Sequence, residues 1–164
     1  AAAGNWVCAM TDHVLAVAYE SAGKECGLTT FPPVPCIVPG MTVRMAGDGP
    51  SSWTTYMMVS RTKAAFRWGT LPGWYTGPQG ERLMPGSKSL VLMRAIVRDY
   101  SRPGDLVCDP DAGSGTTLLA AVIEGRRAIG AEMDRGRFDM AVRRLREGHT
   151  VNMFHDEVSD GIHD

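Results

Sequence analysis

The segment 105–117 (DLVCDPDAGSGTT) joins a short apolar run, an acidic residue and a glycine-rich turn. The apolar residues 106–108 follow a Pro-Gly turn and predict a short, fully buried strand. Gly113 and Gly115 allow a sharp turn and a close ligand, because neither residue has a Cβ atom. Residues 116–125 then predict a helix whose free amide groups face the loop. The segment therefore predicts a strand, a ligand-binding loop and a helix in succession.

A second predicted strand, at residues 128–131, ends in Glu132. In nucleoside-binding βαβ units, an acid about twenty residues beyond the first strand is placed to accept hydrogen bonds from ribose hydroxyls. An isolated G-x-G would most simply be a tight turn with a helix cap. The order strand, acid, loop, helix, strand and acid instead favours a nucleoside-binding unit over residues 105–134.

The loop matches neither of two common phosphate-binding motifs. The dinucleotide fingerprint needs a third glycine and the triphosphatase loop needs a lysine, but Thr-Thr-Leu-Leu follows Gly115. Asp109 and Asp111 would repel a pyrophosphate, whereas they suit a ligand with an ammonium or sulfonium group. S-adenosylmethionine carries both groups, and we therefore predict it as the cofactor.

The run from Asp109 to Thr117 resembles the D-P-F-x-G-S-G-T-T signature of amino-group DNA methyltransferases, which make N6-methyladenine or N4-methylcytosine. Residues 88–98 resemble the K-P-L-x-L-M helix of the subgroup whose catalytic half comes first, and residues 40–53 resemble phage and prophage enzymes. The resemblance covers most of residues 5–147. It implies a Rossmann-like α/β fold, a seven-stranded sheet with helices on both faces. It also implies methyl transfer from S-adenosylmethionine to an adenine or cytosine amine in double-stranded DNA.

The resemblance also implies a cofactor site. Asp109 would meet the methionine ammonium, Lys88 the methionine carboxylate, and Glu132 the ribose hydroxyls. Two positions depart from the signature, since Asp111 replaces the usual Phe of the cofactor pocket and Ser89 replaces the proline after the lysine. The predicted cofactor site consists of Lys88, Ser89, Asp109, Pro110, Asp111, Ala112, Gly113, Ser114, Gly115, Thr116 and Glu132.

The family's catalytic tetrapeptide, (D/N/S)-P-P-(Y/F/W), does not occur in this sequence. The similar string at residues 31–34, Phe-Pro-Pro-Val, lacks a polar acceptor and a terminal aromatic ring, and it predicts a sheet-edge or loop segment. In the resembling subgroup the tetrapeptide strand would precede Asn5 in sequence. In the sheet it would lie between the Asp109 strand and a predicted strand at 6–10. We therefore predict no catalytic residue here, and a sheet that lacks this strand.

Three explanations of that missing strand stay open. A fragment of a longer protein is the plainest, and an opening Ala-Ala-Ala without Met agrees with it. A partner, either a second copy in a homodimer or another chain, could supply the strand, or the sheet could be rearranged.

The segment 61–87 is the candidate for DNA contact. A net charge of −1 gives no general attraction to nucleic acid, so binding would need a local basic patch. In the resembling enzymes the target-recognition segment falls here. Its basic groups could hold phosphates while aromatic rings stack on a flipped base, or the rings could anchor a long loop to the core. The predicted contacts are Arg61, Lys63, Arg67, Trp68, Trp74 and Tyr75.

Other patterns complete the predicted organisation. Composition favours one soluble domain over residues 1–150, followed by a loose acidic tail at 151–164. The arginine cluster at 135–146 predicts the solvated face of an amphipathic helix. The remaining elements are predicted as strands at 6–10, 34–38 and 54–60 and helices at 12–23, 87–100 and 135–147.

No apolar run is long enough to span a membrane, and the histidines lack metal-ligand spacing. The four cysteines lack C-x-x-C spacing and predict reduced core residues rather than a zinc site or disulfides. We therefore expect no metal, no membrane and a cytoplasmic location. The resemblance to phage and prophage enzymes implies that the cell is a bacterial or phage-infected one.

Two alternatives to a DNA methyltransferase remain. A non-catalytic methyltransferase-like subunit or decoy is favoured by Asp111, by Ser89 and by the missing tetrapeptide. A methyltransferase for RNA or a small molecule is the other, because a cofactor unit does not specify the acceptor.

Overall fold

The computed structural model describes residues 6–40, 49–62, 69–80, 83–84 and 86–159, with side chains up to residue 148. These residues form a mixed α/β structure, as predicted. They divide into two compact units, residues 1–79 and 80–164. The single domain over residues 1–150 stays a prediction.

The first unit contains a five-stranded sheet and one helix. The elements are β1 (Trp6–Thr11), α1 (Ala16–Glu25), β2 (Thr29–Thr30), β3 (Val34–Ile37), β4 (Thr54–Arg61) and β5 (Tyr75–Thr76). The strand order is β1-β4-β3-β5, with β2 also paired to β4; β4 is antiparallel to its three partners, while β5 is parallel to β3. Met57 and Val59 of β4 and Cys36 of β3 are all buried, so the central strands contribute the core of this unit.

Helix α1 packs closely on this sheet at Gly23. A Cβ atom on Gly23 would lie 2.8 Å from Thr30 Cγ2 and 3.1 Å from Ser60 Oγ. The Phe-Pro-Pro-Val string ends at Val34, where β3 begins, and residues 31–33 form a loop. This agrees with the loop interpretation of the string.

The second unit is built on two parallel strands and three helices. The elements are α2 (Leu90–Tyr100), β6 (Leu106–Asp109), α3 (Thr116–Ile123), β7 (Arg127–Gly130) and α4 (Arg135–Ser159). β6 and β7 pair in parallel, α3 connects them, and α3 also packs against α2 and α4. Leu92 and Ile96 of α2 and Leu119 and Ala120 of α3 are buried in this helical layer.

The burial predicted for β6 is wrong. Leu106 is 55% exposed, and Cys108 is exposed as well. β6 pairs only with β7 in the described part of the chain, and α3 contacts the strand, but the face that carries Leu106 and Cys108 stays exposed. The related expectation for the cysteines fails in the same way, because Cys36 is buried but Cys8, Cys26 and Cys108 are exposed.

The structure also differs from the prediction in the C-terminal segment. Residues 151–159, predicted to be loose, continue α4, and no proline interrupts the helix between Arg135 and Ser159. The strands predicted to flank the missing strand, β1 and β6, each have one paired neighbour among the described residues. The missing strand itself stays a prediction. No helix in the described ranges has the length and apolar character needed to cross a membrane.

Candidate functional site

The glycine loop 110–115 lies where two parallel strands end. β6 ends at Asp109, and the pairing continues beyond it through a hydrogen bond of 3.0 Å from Ala131 N to Asp109 O. A second bond of 2.9 Å runs from Ala112 N to Ala131 O. In open α/β sheets, ligands bind outside the carboxyl ends of the strands. The loop and Glu132, which follows β7, therefore occupy the edge where a ligand is expected.

The two loop glycines are required for different reasons. Gly113 and Gly115 have φ angles of 54° and 76°, in the left-handed region that favours glycine. A Cβ atom on Gly113 would meet nothing within 4 Å, so this part of the loop borders open space. A Cβ atom on Gly115 would lie 2.9 Å from the Cβ atom of Ala141 on α4. Gly113 thus leaves room for a ligand, and Gly115 lets α4 pack on the loop.

Glu132 is joined directly to the loop. Its Oε2 atom accepts a hydrogen bond of 2.8 Å from the Gly113 backbone N–H, and its Oε1 atom accepts one of 2.9 Å from Asp134 N–H. These bonds fix the half-buried carboxylate in one orientation. Each carboxylate oxygen can accept a second hydrogen bond, so the group retains capacity for a ribose hydroxyl.

Asp109 and Asp111 add negative charge beside the loop. Asp109 Oδ1 accepts a hydrogen bond of 3.2 Å from Asp111 N–H, so the carboxylate caps the first turn of the loop. Asp109 is half-buried and Asp111 is exposed. This arrangement suits a cationic ligand group. Among the described residues, no cluster of three or more His, Cys, Asp or Glu side chains is placed to hold a metal ion.

Arg144 of α4 contacts the loop, although the sequence predicted a solvated arginine face. Its Nη1 atom donates hydrogen bonds to the Ser114 carbonyl oxygen at 2.6 Å and to Thr116 Oγ1 at 3.1 Å. The other arginines of this helix segment are exposed, as expected. One available signal was the spacing of Ala141 and Arg144, which places both on the same helix face.

Lys88 and Ser89 lie at the start of α2. Lys88 Nζ donates to the Gly86 carbonyl oxygen at 3.1 Å. Ser89 is 4% exposed, and its Oγ atom has no hydrogen-bond partner among the described residues. Neither side chain hydrogen-bonds to the loop in the described ranges, so their predicted cofactor contacts stay predictions. Of the other predicted positions, Pro110 is exposed and Ala112 is buried.

The predicted nucleic-acid contacts that are described belong to the first unit. Trp74 is 57% exposed, which suits an accessible aromatic ring. Tyr75 is 5% exposed and pairs with Cys36 across β3 and β5, so this ring is placed as a loop anchor. The Arg61 guanidinium lies 5.8 Å from the centroid of the Phe31 ring. The remaining predicted contacts, Lys63, Arg67 and Trp68, lie outside the described residues.

A cavity of about 460 Å³ lies between α3, β7 and α4. Its lining is mainly apolar, with Leu118, Ile129 and Phe138, but it also includes Ala112 of the loop and Glu132. The cavity therefore adjoins the glycine loop. Ribose hydroxyls and a charged methionine group need polar partners, which the carboxylates and backbone amides at the loop supply and the apolar walls of the cavity do not.

The chain is similar to known DNA methylases. A family model described as a DNA methylase of the N6/N4 type matches residues 54–143, more than half of the chain. The DNA adenine methyltransferase YhdJ of Escherichia coli K12 is 43% identical over 61 residues, which are 37% of this chain and 21% of YhdJ. The matched segment thus spans about a fifth of that relative.

Solved structures show the same fold. The crystal structure of the M1.HpyAVI-SAM complex superposes with a TM-score of 0.75 and 24% identity, covering 85% of this chain and 74% of that one. A putative DNA modification methylase of Thermus thermophilus, TTHA0409, was solved in complex with S-adenosyl-L-methionine. It gives a TM-score of 0.67 and 23% identity, with coverage of 88% of this chain and 70% of that one.

Proposed function

This chain belongs to the N6/N4-type DNA methylase family, and we propose that it binds S-adenosylmethionine at the glycine loop 110–115. We propose further that the complete protein transfers the methyl group to the exocyclic amine of adenine (N6) or cytosine (N4) in double-stranded DNA. The single observation that carries the proposal is the hydrogen bond between Glu132 and Gly113. It brings a strand-end acid and a left-handed glycine together at the carboxyl edge of β6 and β7.

The residues at this edge fit the parts of S-adenosylmethionine. Glu132 has acceptor capacity for ribose hydroxyls. Asp109 and Asp111 place negative charge where a methionine ammonium and a sulfonium would be favoured. The space beside Gly113 admits a ligand close to the backbone. When bound, S-adenosylmethionine supplies a methyl group electrophilic enough for an exocyclic amine to attack.

The loop's contribution to the reaction is positioning. A methyl donor held rigidly beside a flipped base turns a bimolecular encounter into an oriented one within the complex. The described residues would seat the donor. The group that accepts hydrogen bonds from the target amine is the family's tetrapeptide, which these residues do not contain. We propose that another segment of the protein or a partner chain supplies it.

The proposed methyl acceptor is duplex DNA, and the proposed location is the cytoplasm. Exposed Trp74 and the basic residues of 61–87 would contact DNA, while Tyr75 is buried in the sheet beside Trp74. Together with the family relationship, they favour duplex DNA as the partner, in the cytoplasm of a bacterial or phage-infected cell.

A second candidate function is a non-catalytic methyltransferase-like subunit. Asp111 favours it, because an exposed carboxylate stands where the resembling enzymes use an aromatic ring to pack the cofactor. Such a subunit would keep the fold and lose the reaction.

Methyl transfer from labelled S-adenosylmethionine to mixed-sequence duplex DNA, followed by digestion to nucleosides, tests the proposal. Label in N6-methyladenine or N4-methylcytosine from the full gene product supports the enzyme and identifies the base. If the full gene product binds S-adenosylmethionine but transfers no label to DNA, the result would support the non-catalytic subunit. If it binds neither S-adenosylmethionine nor duplex DNA, the result would contradict both functions.

A further inference from the structure

We propose that Arg144 is a positioning residue that holds residues 113–116, the end of the glycine loop and the first residue of α3, in their cofactor-binding shape. The inference rests on the proposed function, since it assigns a role in binding S-adenosylmethionine. Arg144 Nη1 donates to the Ser114 carbonyl oxygen at 2.6 Å and to the Thr116 hydroxyl at 3.1 Å, with Ser114 Oγ further away at 3.4 Å. It lies outside the signature, on a helix that begins after β7.

The groups that Arg144 contacts form a buried polar cluster. Ser114 and Thr116 are 5% and 4% exposed, and their hydroxyl oxygens lie 3.2 Å apart. Buried carbonyl and hydroxyl groups need hydrogen-bond partners, and a charged donor makes the stronger bond. With one guanidinium nitrogen, Arg144 donates to Ser114 of the loop and to Thr116, the first residue of α3. Its removal would leave the Ser114 carbonyl and the Thr116 hydroxyl without that donor.

Glu132, which accepts a hydrogen bond from the loop at Gly113, also helps to position the helix that carries Arg144. Glu132 accepts a hydrogen bond from Asp134 N–H, and Asp134 Oδ1 in turn accepts one of 2.8 Å from a backbone N–H in the first turn of α4. Further along the helix, Ala141 contacts Gly115 and Arg144 follows one turn later. Glu132 therefore fixes the loop at Gly113 and the start of α4 together, and α4 returns to hold the loop from its other end.

A loop with two glycines binds a ligand more tightly when other residues already hold it in one conformation. Glycine loses more backbone freedom than other residues when it is ordered, and this loop has two glycines in left-handed conformations. If the loop were loose in the free protein, binding would have to order it and affinity would fall. A loop that is ordered beforehand avoids that loss. Arg144 would therefore raise cofactor affinity without touching the cofactor.

Two measurements on three variants test this role. Arg144→Ala removes the donor, Arg144→Lys keeps a charged donor on a shorter side chain, and Arg143→Ala removes the same charge from an exposed neighbouring position. Titration with S-adenosylmethionine measures affinity, and hydrogen exchange of the 113–116 amides without cofactor measures loop order. We expect Arg144→Ala to bind about tenfold more weakly, equal to about 1.4 kcal/mol, and to exchange faster. Arg144→Lys should recover part of both properties, and Arg143→Ala should match the wild type.

Equal affinity and equal loop exchange in Arg144→Ala and the wild type would overturn the inference. Equal losses in Arg144→Ala and Arg143→Ala would overturn it too, because they would indicate a general charge effect. If the wild type fails to bind S-adenosylmethionine, the proposed function is wrong, while the exchange rates alone still decide whether Arg144 holds the loop. Should Arg144→Ala not fold, Arg144→Met replaces it, because it removes the donor but keeps an extended side chain, and wild-type loop exchange in that variant would overturn the role.

Discussion

A Cβ atom on Gly115 would lie 2.9 Å from the Cβ atom of Ala141, so α4 packs directly against the glycine loop at this point. The contact links the last loop residue, which is also the N-cap of α3, to a helix that starts after β7. Loop, α3 and α4 are thus coupled through one glycine.

Gly115→Ala should destabilise the protein more than Gly113→Ala. Both positions have left-handed backbones, which cost a residue with a Cβ atom about 1–2 kcal/mol. Only Gly115 adds a clash with Ala141, since the space beside Gly113 is open. Chemical denaturation of the two variants measures the difference. Adding Ala141→Gly should restore part of the stability of Gly115→Ala, and equal stabilities of the two alanine variants would contradict the packing of α4 on the loop.

Glu132→Ala should weaken S-adenosylmethionine binding by about 10- to 100-fold, since a hydrogen bond to a charged group contributes about 1.5–3 kcal/mol. The loop would also lose its bond at Gly113. Glu132→Gln should fall between this variant and the wild type, because an amide has a single oxygen for the two backbone donors. Calorimetric titration measures the affinities. Wild-type affinity in both variants would place the cofactor elsewhere.

Ser89→Pro should stabilise the protein by about 0.4–1 kcal/mol through reduced freedom of the unfolded chain. Ser89 has φ −65° and ψ 124°, and its side chain does not cap α2. The native φ already matches that of proline. Ser89→Ala is the matched control, because it removes the buried hydroxyl without restricting the backbone. Thermal unfolding of the three proteins measures the effect, and a proline variant less stable than the alanine variant would contradict it.

Glu124→Ala should lower the free energy of unfolding by about 1–3 kcal/mol, because it removes a partly buried, charged hydrogen bond. Glu124 Oε1 accepts from Arg94 Nε at 2.6 Å, and the Glu124 side chain is 9% exposed. The bond joins the end of α3 to α2. Denaturant titration measures the change in free energy.

Asp139→Ala is the control for Glu124→Ala, since it removes the exposed pair of Arg135 and Asp139 on α4. Exposed helical pairs contribute about 0.3–0.5 kcal/mol. A loss from Glu124→Ala no greater than the loss from this control would contradict the structural importance of the α2–α3 contact.

The βαβ unit was predictable from sequence because its signals are local. The apolar run before Asp109, the glycines and the apolar helix after Gly115 lie next to each other in the chain, and the structure has β6, α3 and β7 in that order. Glu132 is positioned by the end of β7, so spacing along the chain was enough to bring it near the loop.

The contacts that sequence reasoning missed depend on tertiary structure. Arg144 meets Ser114 across thirty positions, and its neighbours along α4 are also arginines, so composition favoured a solvated face. Strand β5 has only two residues and pairs with β3 far earlier in the chain, which leaves no periodicity to detect. The exposure of Leu106 follows from which strands pair with β6, and an apolar run alone does not specify that.

The most direct test of cofactor binding is a calorimetric titration of S-adenosylmethionine into the folded wild-type chain and into Gly113→Leu. We expect one site per wild-type chain and no detectable binding by the variant, because a side chain at position 113 would fill the open space beside the loop. Circular dichroism establishes that both proteins are folded. A folded wild-type chain that binds no S-adenosylmethionine, or a Gly113→Leu variant that binds as well as the wild type, would show that the glycine loop is not the cofactor site.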